Sequence, residues 1–238
     1  MEGGKALLQR LVASQKLTCQ SKESNTAQLH SLLARVKDVV TSVGEATVLE
    51  LGAGKALFTR GLYECFERRV PVIALDVLEL SESRKASFFD PLDVSSTEAP
   101  YTRIVTDLRM PDWADRPELK SPIVAVTKHL CAGATDAALV RVCDLRLIGV
   151  CMAPCCHQKL LLDDYCNRSF LEEAGFANEK HFRALLTLLQ ISCHKELKEF
   201  EYRNQHFLQV LSFLEVKELG QMARRVLEEG RARYLQER

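Results

Sequence analysis

The sequence predicts an α/β fold: a mostly parallel sheet with helices on both faces, continued by a helical C-terminal part. Three observations carry that expectation. Short apolar, β-branched runs alternate along the chain with segments of helical periodicity, the pattern of strand–helix–strand units joined by right-handed crossovers. One such run, Val48-Leu49-Glu50-Leu51, passes directly into the turn Gly52-Ala53-Gly54 and then into an amphipathic segment. A second run, Val70 to Leu75, ends on Asp76, twenty-two residues past Gly54.

Taken in order, residues 5–17 predict a short helix through Leu7, Leu8, Leu11 and Val12, and the polar tract Thr18 to Thr26 reads as a linker. Leu29, Leu32, Leu33, Val36, Val40 and Val43 recur at helical spacing and stop at Gly44, a natural C-terminal cap. The first strand is Thr47 to Leu51, and the helix after the glycine turn carries Leu57, Phe58, Leu62, Cys65 and Phe66 on one stripe. Ile104 to Asp107 is a short third strand. Pro111 to Pro122 is a proline- and charge-rich loop holding the only tryptophan, Trp113. The fourth strand, Ile123 to Thr127, runs into Lys128-His129-Leu130-Cys131. A helix from about Thr135 to Cys143 and a fifth strand, Leu145 to Met152, follow, and the latter opens onto Cys155-Cys156-His157. Beyond that point Phe182, Leu185, Leu186 and Leu189 form one helical stripe, and Val216, Leu219, Met222, Ala223, Val226 and Leu227 form another. His206 to Phe213 fits a strand or a helix equally well.

At 238 residues and 47% hydrophobic, the chain can bury one good core. We expect residues 1–25 to be an N-terminal extension and residues 26–238 a single domain. Basic and acidic residues balance at 32 each, so no global field points to nucleic acid or a membrane surface. Nine scattered cysteines, with the vicinal pair Cys155-Cys156, favour a reducing compartment over a secreted disulfide framework. No apolar signal core opens the chain, and no segment approaches the roughly 18 apolar residues of a membrane span. The expectation is an intracellular protein, cytoplasmic or nuclear.

A glycine turn at the carboxyl end of a strand lets the backbone approach a ligand closely, with the N–H groups of the next helix aimed at it. Gly52, Ala53 and Gly54 are therefore expected to wrap a nucleoside-containing cofactor, and Asp76 to hold its ribose hydroxyls. Leu57 stands where a dinucleotide fingerprint needs a small residue, and Glu50 suits a cation better than a pyrophosphate. A sulfonium such as S-adenosylmethionine fits both features.

The run Lys128-His129-Leu130-Cys131-Ala132-Gly133-Ala134-Thr135-Asp136-Ala137-Ala138-Leu139, followed by Cys155-Cys156-His157, is a more particular signature. With Leu49 to Lys55 ahead of it and Gly220 to Arg225 through Gly230-Arg231 behind, the chain resembles a eukaryotic family of tRNA 2'-O-methyltransferases. That family modifies nucleotide four of the acceptor stem, and the resemblance covers roughly residues 26 to 236. It implies a Rossmann-like class I methyltransferase fold with a sheet of seven strands or slightly fewer. It also implies S-adenosylmethionine as cofactor and the tRNA acceptor stem as partner, with Asp107 and Leu108 bordering the adenine. Two departures stand out. The family's N-terminal Cys/His zinc-binding modules have no counterpart before Glu50, so a protein partner is expected to replace them. Ala56 stands where the family's turn is richer in glycine. Two rivals remain: a methyltransferase of the same fold acting on another RNA or a protein, and a non-catalytic RNA-binding subunit. Thr127-Lys128-His129-Leu130 lacks the tetrapeptide typical of base methylation, which weighs against an RNA-base substrate.

Transfer to a ribose hydroxyl requires alignment of the attacking oxygen and removal of its proton. Lys128, at the carboxyl end of the fourth strand, can act electrostatically or as a base, and His129 and His157 are the alternative bases. Cys131, Cys151, Cys155, Cys156 and His157 invite a zinc reading, but structural zinc ligands pair two to four residues apart and adjacent cysteines make poor tetrahedral geometry. No metal is therefore expected, and these residues read as a small-residue rim of the cleft. Thr135-Asp136 reads equally as a helix cap. Arg183, Lys195, Lys198, Arg203, Arg224, Arg225, Arg231 and Arg233 are candidates for RNA contact, although acids interleave them as on a solvated helix.

Overall fold

The structure, a computed structural model, describes residues 19–54, 56–67, 69–77, 101–119, 122–192 and 210–238. Among the described residues, five strands form one sheet in the order β3-β2-β1-β4-β5, with every pairing parallel. They are β1 (Thr47–Leu51), β2 (Val72–Asp76), β3 (Thr102–Val105), β4 (Ile123–Thr127) and β5 (Leu147–Met152). All residues of β1 and β4 are buried, as expected of central parallel strands covered on both faces. From β1 the chain winds outward through β2 and β3, then crosses to the other side for β4 and β5. The order therefore reverses between β1 and β4, and open α/β sheets form their ligand crevice at the carboxyl ends of the strands flanking such a reversal.

The chain divides into two compact units, residues 1–130 with 141–154 and residues 131–140 with 155–238. The first holds the sheet. Its helix α1 (Cys19–Val43) lays Leu29, Leu32, Leu33, Val36 and Val40 over Val48, Val72, Val124 and Val126, joined by Phe58 and Leu62 of α2 (Leu57–Cys65). The side chains alternate with period two along the strands, and the helical residues recur at three and four, so one apolar face meets another. Gly44 ends α1 at φ 87°, donating its N–H to the Val40 carbonyl. Between β3 and β4, two single 3-10 turns, Asp112–Asp115 and Pro117–Leu119, bury Trp113 and Leu119 in what reads as a loop by composition.

In the second unit α4 (Arg168–Glu173), α5 (Glu179–Ser192) and α6 (Phe213–Gln236) close a separate core. Leu160, Tyr165, Leu171, Phe182, Leu185, Leu186 and Leu189 meet Ala223 and Leu227 there. Ser212 and Glu215 form a reciprocal capping box that starts α6.

Several boundaries differ from expectation. The tract from Cys19 onward belongs to α1 rather than to a linker: it is polar but holds no proline or glycine, so nothing in it stops a helix. β3 begins two residues earlier than expected and ends before Asp107. Helix α3 (Gly133–Val142) starts two residues ahead of Thr135. Residues 5–17 and 206–209 lie outside the described residues.

Candidate functional site

The glycine turn caps β1 in the first unit. Leu51 pairs with Leu75, so Gly52 stands beside Asp76 at the carboxyl edge of the sheet. Gly52 and Ala53 both donate their N–H groups to the Leu75 carbonyl. Gly52 and Gly54 have φ of 68° and 52°, a region where a side chain is strained. At 2.8 Å the Gly54 N–H donates to the Asp76 Oδ2, and at the same distance Arg103 Nη2 donates to the Gly54 carbonyl. Thus an aspartate from β2 and an arginine from β3 hold the two polar groups of one glycine. Among the described residues, and apart from its chain neighbours, no atom lies within 4 Å of where a Cβ on Gly54 would stand.

Glu50 lies just beneath this turn and is only 3% exposed. Helix α2 starts at Ala56, whose φ of 58° is left-handed and whose methyl can cap nothing. Glu50 supplies the missing cap from the strand. Its Oε2 accepts from the Thr59 N–H at 2.7 Å and from the Thr59 hydroxyl, placing a carboxyl group at the positive end of the helix. Burial nevertheless pushes its pKa up to about 7, against the Thr59 hydrogen bonds and the Arg103 charge.

On the other side of the reversal, β4 ends in Thr127, Lys128 and His129. The Thr127 hydroxyl is buried without a hydrogen-bond partner among the described residues, which marks a donor left over for a ligand. Lys128 is half-buried; burial lowers its pKa and the nearby Glu50 opposes the shift. His129 is exposed, and its carbonyl belongs to the wall that confronts Gly52. Asp107 lies two residues past β3, where its carboxylate accepts from the Arg109 backbone N–H at 3.0 Å and from Arg109 Nη2 at 2.6 Å. These bonds hold its pKa down at about 2. Leu108 is buried, and its carbonyl accepts from the indole N–H of Trp113 at 3.2 Å, anchoring the loop. The seven expected cofactor residues, Glu50, Gly52, Ala53, Gly54, Asp76, Asp107 and Leu108, thus share one unit with Lys128 and His129. Arg103, Thr59 and Thr127 complete the constellation, yet neither spacing nor composition singles them out in the sequence.

His157 belongs to the second unit. It is 2% exposed, with Nε2 2.8 Å from Glu228 Oε1 on α6. Arg231 sits 3.7 Å from the same oxygen and makes two hydrogen bonds to Asp136, at 2.6 and 3.1 Å. Asp136 and Arg231 are 0% and 4% exposed, so Arg231 is a core residue, not the surface RNA contact it resembles in sequence. Asp136 likewise pairs with a cation instead of capping α3. Arg183 and Arg233 pair along their helices with Glu179 and Glu229; Arg224 and Arg225 are exposed. Lys195, Lys198 and Arg203 lie outside the described residues. The thiols of Cys131, Cys155 and Cys156 cluster, and burial raises the pKa of Cys155 to about 12.

Comparison with known proteins bears on this geometry. The family model described as Methyltransferase TRM13 matches residues 27–238. The chain is 26% identical over 240 residues to a tRNA:m(4)X modification enzyme TRM13 of Scheffersomyces stipitis, an alignment covering 88% of this chain and 57% of that protein. It is 27% identical over 197 residues to the Saccharomyces cerevisiae protein of the same description, covering 67% and 40% respectively. Against the Vanderwaltozyma polyspora protein, also so described, identity is 30% over 152 residues, or 58% and 35%. The chain spans about half the length of the curated relatives it matches. No solved structure matches it.

Proposed function

The chain belongs to the TRM13 methyltransferase family, and from that premise we propose that it transfers a methyl group from S-adenosylmethionine to a ribose 2'-hydroxyl at nucleotide four of the tRNA acceptor stem. Residues 26–238 serve as the methyltransferase domain, with 1–25 as an extension.

One observation carries the cofactor assignment. The turn at Gly52-Ala53-Gly54 is tied to Asp76 at the carboxyl ends of adjacent parallel strands, next to the sheet's reversal, with open space over Gly54. The residues present fit the group. Asp76 offers a carboxylate to a ribose diol, the turn exposes backbone, and the Thr127 hydroxyl, which has no hydrogen-bond partner among the described residues, supplies a buried donor. Glu50 contributes negative charge beneath the turn to whatever extent it is ionised near pH 7, which favours a cation there. Asp107 and Leu108 border the adenine from a loop that Trp113 holds in place.

When bound, the sulfonium supplies an electrophilic methyl carbon and a neutral thioether leaving group. The chain's own residues must then orient the hydroxyl and manage its proton. Lys128 stands at the tip of β4 with a pKa lowered by burial, which suits it to accept that proton or to stabilise the developing oxyanion. His129, exposed at the next position, provides an imidazole as the alternative base. The hydrogen bond from His157 to Glu228 gives it a positioning role in the second unit. Arg224 and Arg225 offer phosphate contacts on α6. A protein partner, or sequence corresponding to the relatives' remaining length, completes the grip on tRNA.

The test is mass spectrometry of unmodified tRNA transcripts incubated with the purified chain and S-adenosylmethionine. A 2'-O-methyl mark at nucleotide four is the expected result. Cofactor binding without a mark on any tRNA, with and without a cell extract to supply partners, would sink the substrate assignment.

A further inference from the structure

We propose that Cys131, Cys155 and Cys156, in the second unit, form a zinc site. The Cys131 sulfur lies 3.6 Å from that of Cys155 and 3.5 Å from that of Cys156. A disulfide would need a separation of about 2.05 Å. A tetrahedral zinc ion with bonds of about 2.3 Å holds its sulfur ligands about 3.8 Å apart. Both separations from the Cys131 sulfur are therefore close to the edge of a zinc tetrahedron.

The backbone explains how adjacent cysteines manage this. In an extended chain neighbouring side chains point to opposite faces, which would hold the Cys155 and Cys156 thiols apart. Here Cys131 and Cys155 form an isolated parallel bridge, so their side chains start side by side. Cys156 then adopts φ 55° and ψ 32°, a left-handed conformation that returns its thiol to the same spot. That conformation costs a non-glycine residue roughly 1–2 kcal/mol. Such backbone persists only where the surroundings determine it, and coordination is one such constraint. All three residues are partly accessible, so an ion can enter. On coordination each thiol gives its proton to solvent and each sulfur donates a lone pair, with no change of oxidation state. Three protein ligands leave a fourth position for water or another donor.

The inference does not rest on the methyltransferase reading and is tested by metal binding rather than by turnover. The full chain, purified under reducing conditions, is analysed for zinc as isolated, then stripped with chelator and titrated with Co²⁺ as the probe. We expect stoichiometric metal, the intense visible bands of tetrahedral cobalt thiolate, and their loss when Zn²⁺ is added. Cys131→Ser, Cys155→Ser and Cys156→Ser each should weaken Co²⁺ binding by more than about 100-fold, since even outer-shell changes at metal sites cost 10–100-fold. Cys143→Ser and Cys151→Ser should bind like the parent, with circular dichroism confirming the fold of every variant. The proposal is overturned if the reduced parent chain binds no Co²⁺, or if Cys131→Ser binds it unchanged. Peptide mapping that finds Cys131 disulfide-linked to Cys155 or Cys156 in the chain isolated under reductant would overturn it as well.

Discussion

Replacing each glycine of the turn by alanine separates what the two positions do. At Gly52, φ is +68°, and an added Cβ would stand 3.1 Å from Leu130 Cγ and 3.3 Å from the His129 carbonyl oxygen. Leu130 is 5% exposed, so it has little room to yield. A left-handed alanine costs about 1–2 kcal/mol, and overpacking adds about 1–3 kcal/mol, for a loss of roughly 2–5 kcal/mol. At Gly54, φ is +52° but nothing lies within 4 Å, so only the conformational cost of about 1–2 kcal/mol applies. In a chain of this size each kcal/mol shifts the melting temperature by about 2–4 °C. Gly52→Ala should therefore melt roughly 2–12 °C below Gly54→Ala, the interval set by overpacking alone. The order reverses for the cofactor. Gly54→Ala places a methyl group in the open space over the turn and should weaken S-adenosylmethionine binding in calorimetry by at least about 10-fold, about 1.4 kcal/mol. If Gly52→Ala melts no lower than Gly54→Ala, the close approach of Leu130 is wrong. If Gly54→Ala binds cofactor like the parent, the turn does not wrap it.

Other outcomes follow from neighbouring residues. Glu50 has a folded pKa of about 7, above its ordinary value of 4.5, so its contribution to stability is complete below pH 4.5 and is lost as pH rises through 7. Glu50→Gln should accordingly gain on the parent between pH 5 and pH 8, by up to roughly 3 kcal/mol, in thermal melts; a gap independent of pH would refute this. Arg231→Met strands Asp136 as a buried lone charge and should cost about 3–5 kcal/mol in urea unfolding, most of it recovered in the Asp136→Leu/Arg231→Met double variant. Lys128→Ala or His129→Ala, whichever removes the base, should lose turnover by about 10²-fold or more while cofactor affinity holds. His157→Ala should instead lower the melting temperature by leaving Glu228 without its imidazole, and normal turnover in both the Lys128 and the His129 variants would remove the catalytic assignment.

The strands and the turn were legible because their signal is local. β-branched runs, a glycine pair and an acid at a fixed distance are all written within thirty residues, and the register of β1 and β2 then brings Gly52 beside Asp76. What stayed hidden depends on partners distant in sequence. Arg103 looks like one polar residue in a short strand, and only the pairing of β3 with β2 carries it to the Gly54 carbonyl. Glu50 suggests a ligand contact from its place before the glycines, yet its carboxyl group caps α2 because Ala56 supplies no cap. Arg231 resembles its exposed neighbours on α6 until Asp136 claims it. The approach of the vicinal cysteines to Cys131 was hidden for a different reason: it depends on the left-handed backbone of Cys156, which no spacing reveals.

The Asp136–Arg231 pair also imposes an order in time. The arginine is made ninety-five residues after the aspartate it neutralises, an interval of roughly 5–20 s at ordinary rates of synthesis. Throughout that interval Asp136 lacks the guanidinium that pairs with it in the folded chain, whereas every described strand of the sheet has been made by Met152. The sheet can thus assemble on the growing chain, while the helical unit must wait for α6.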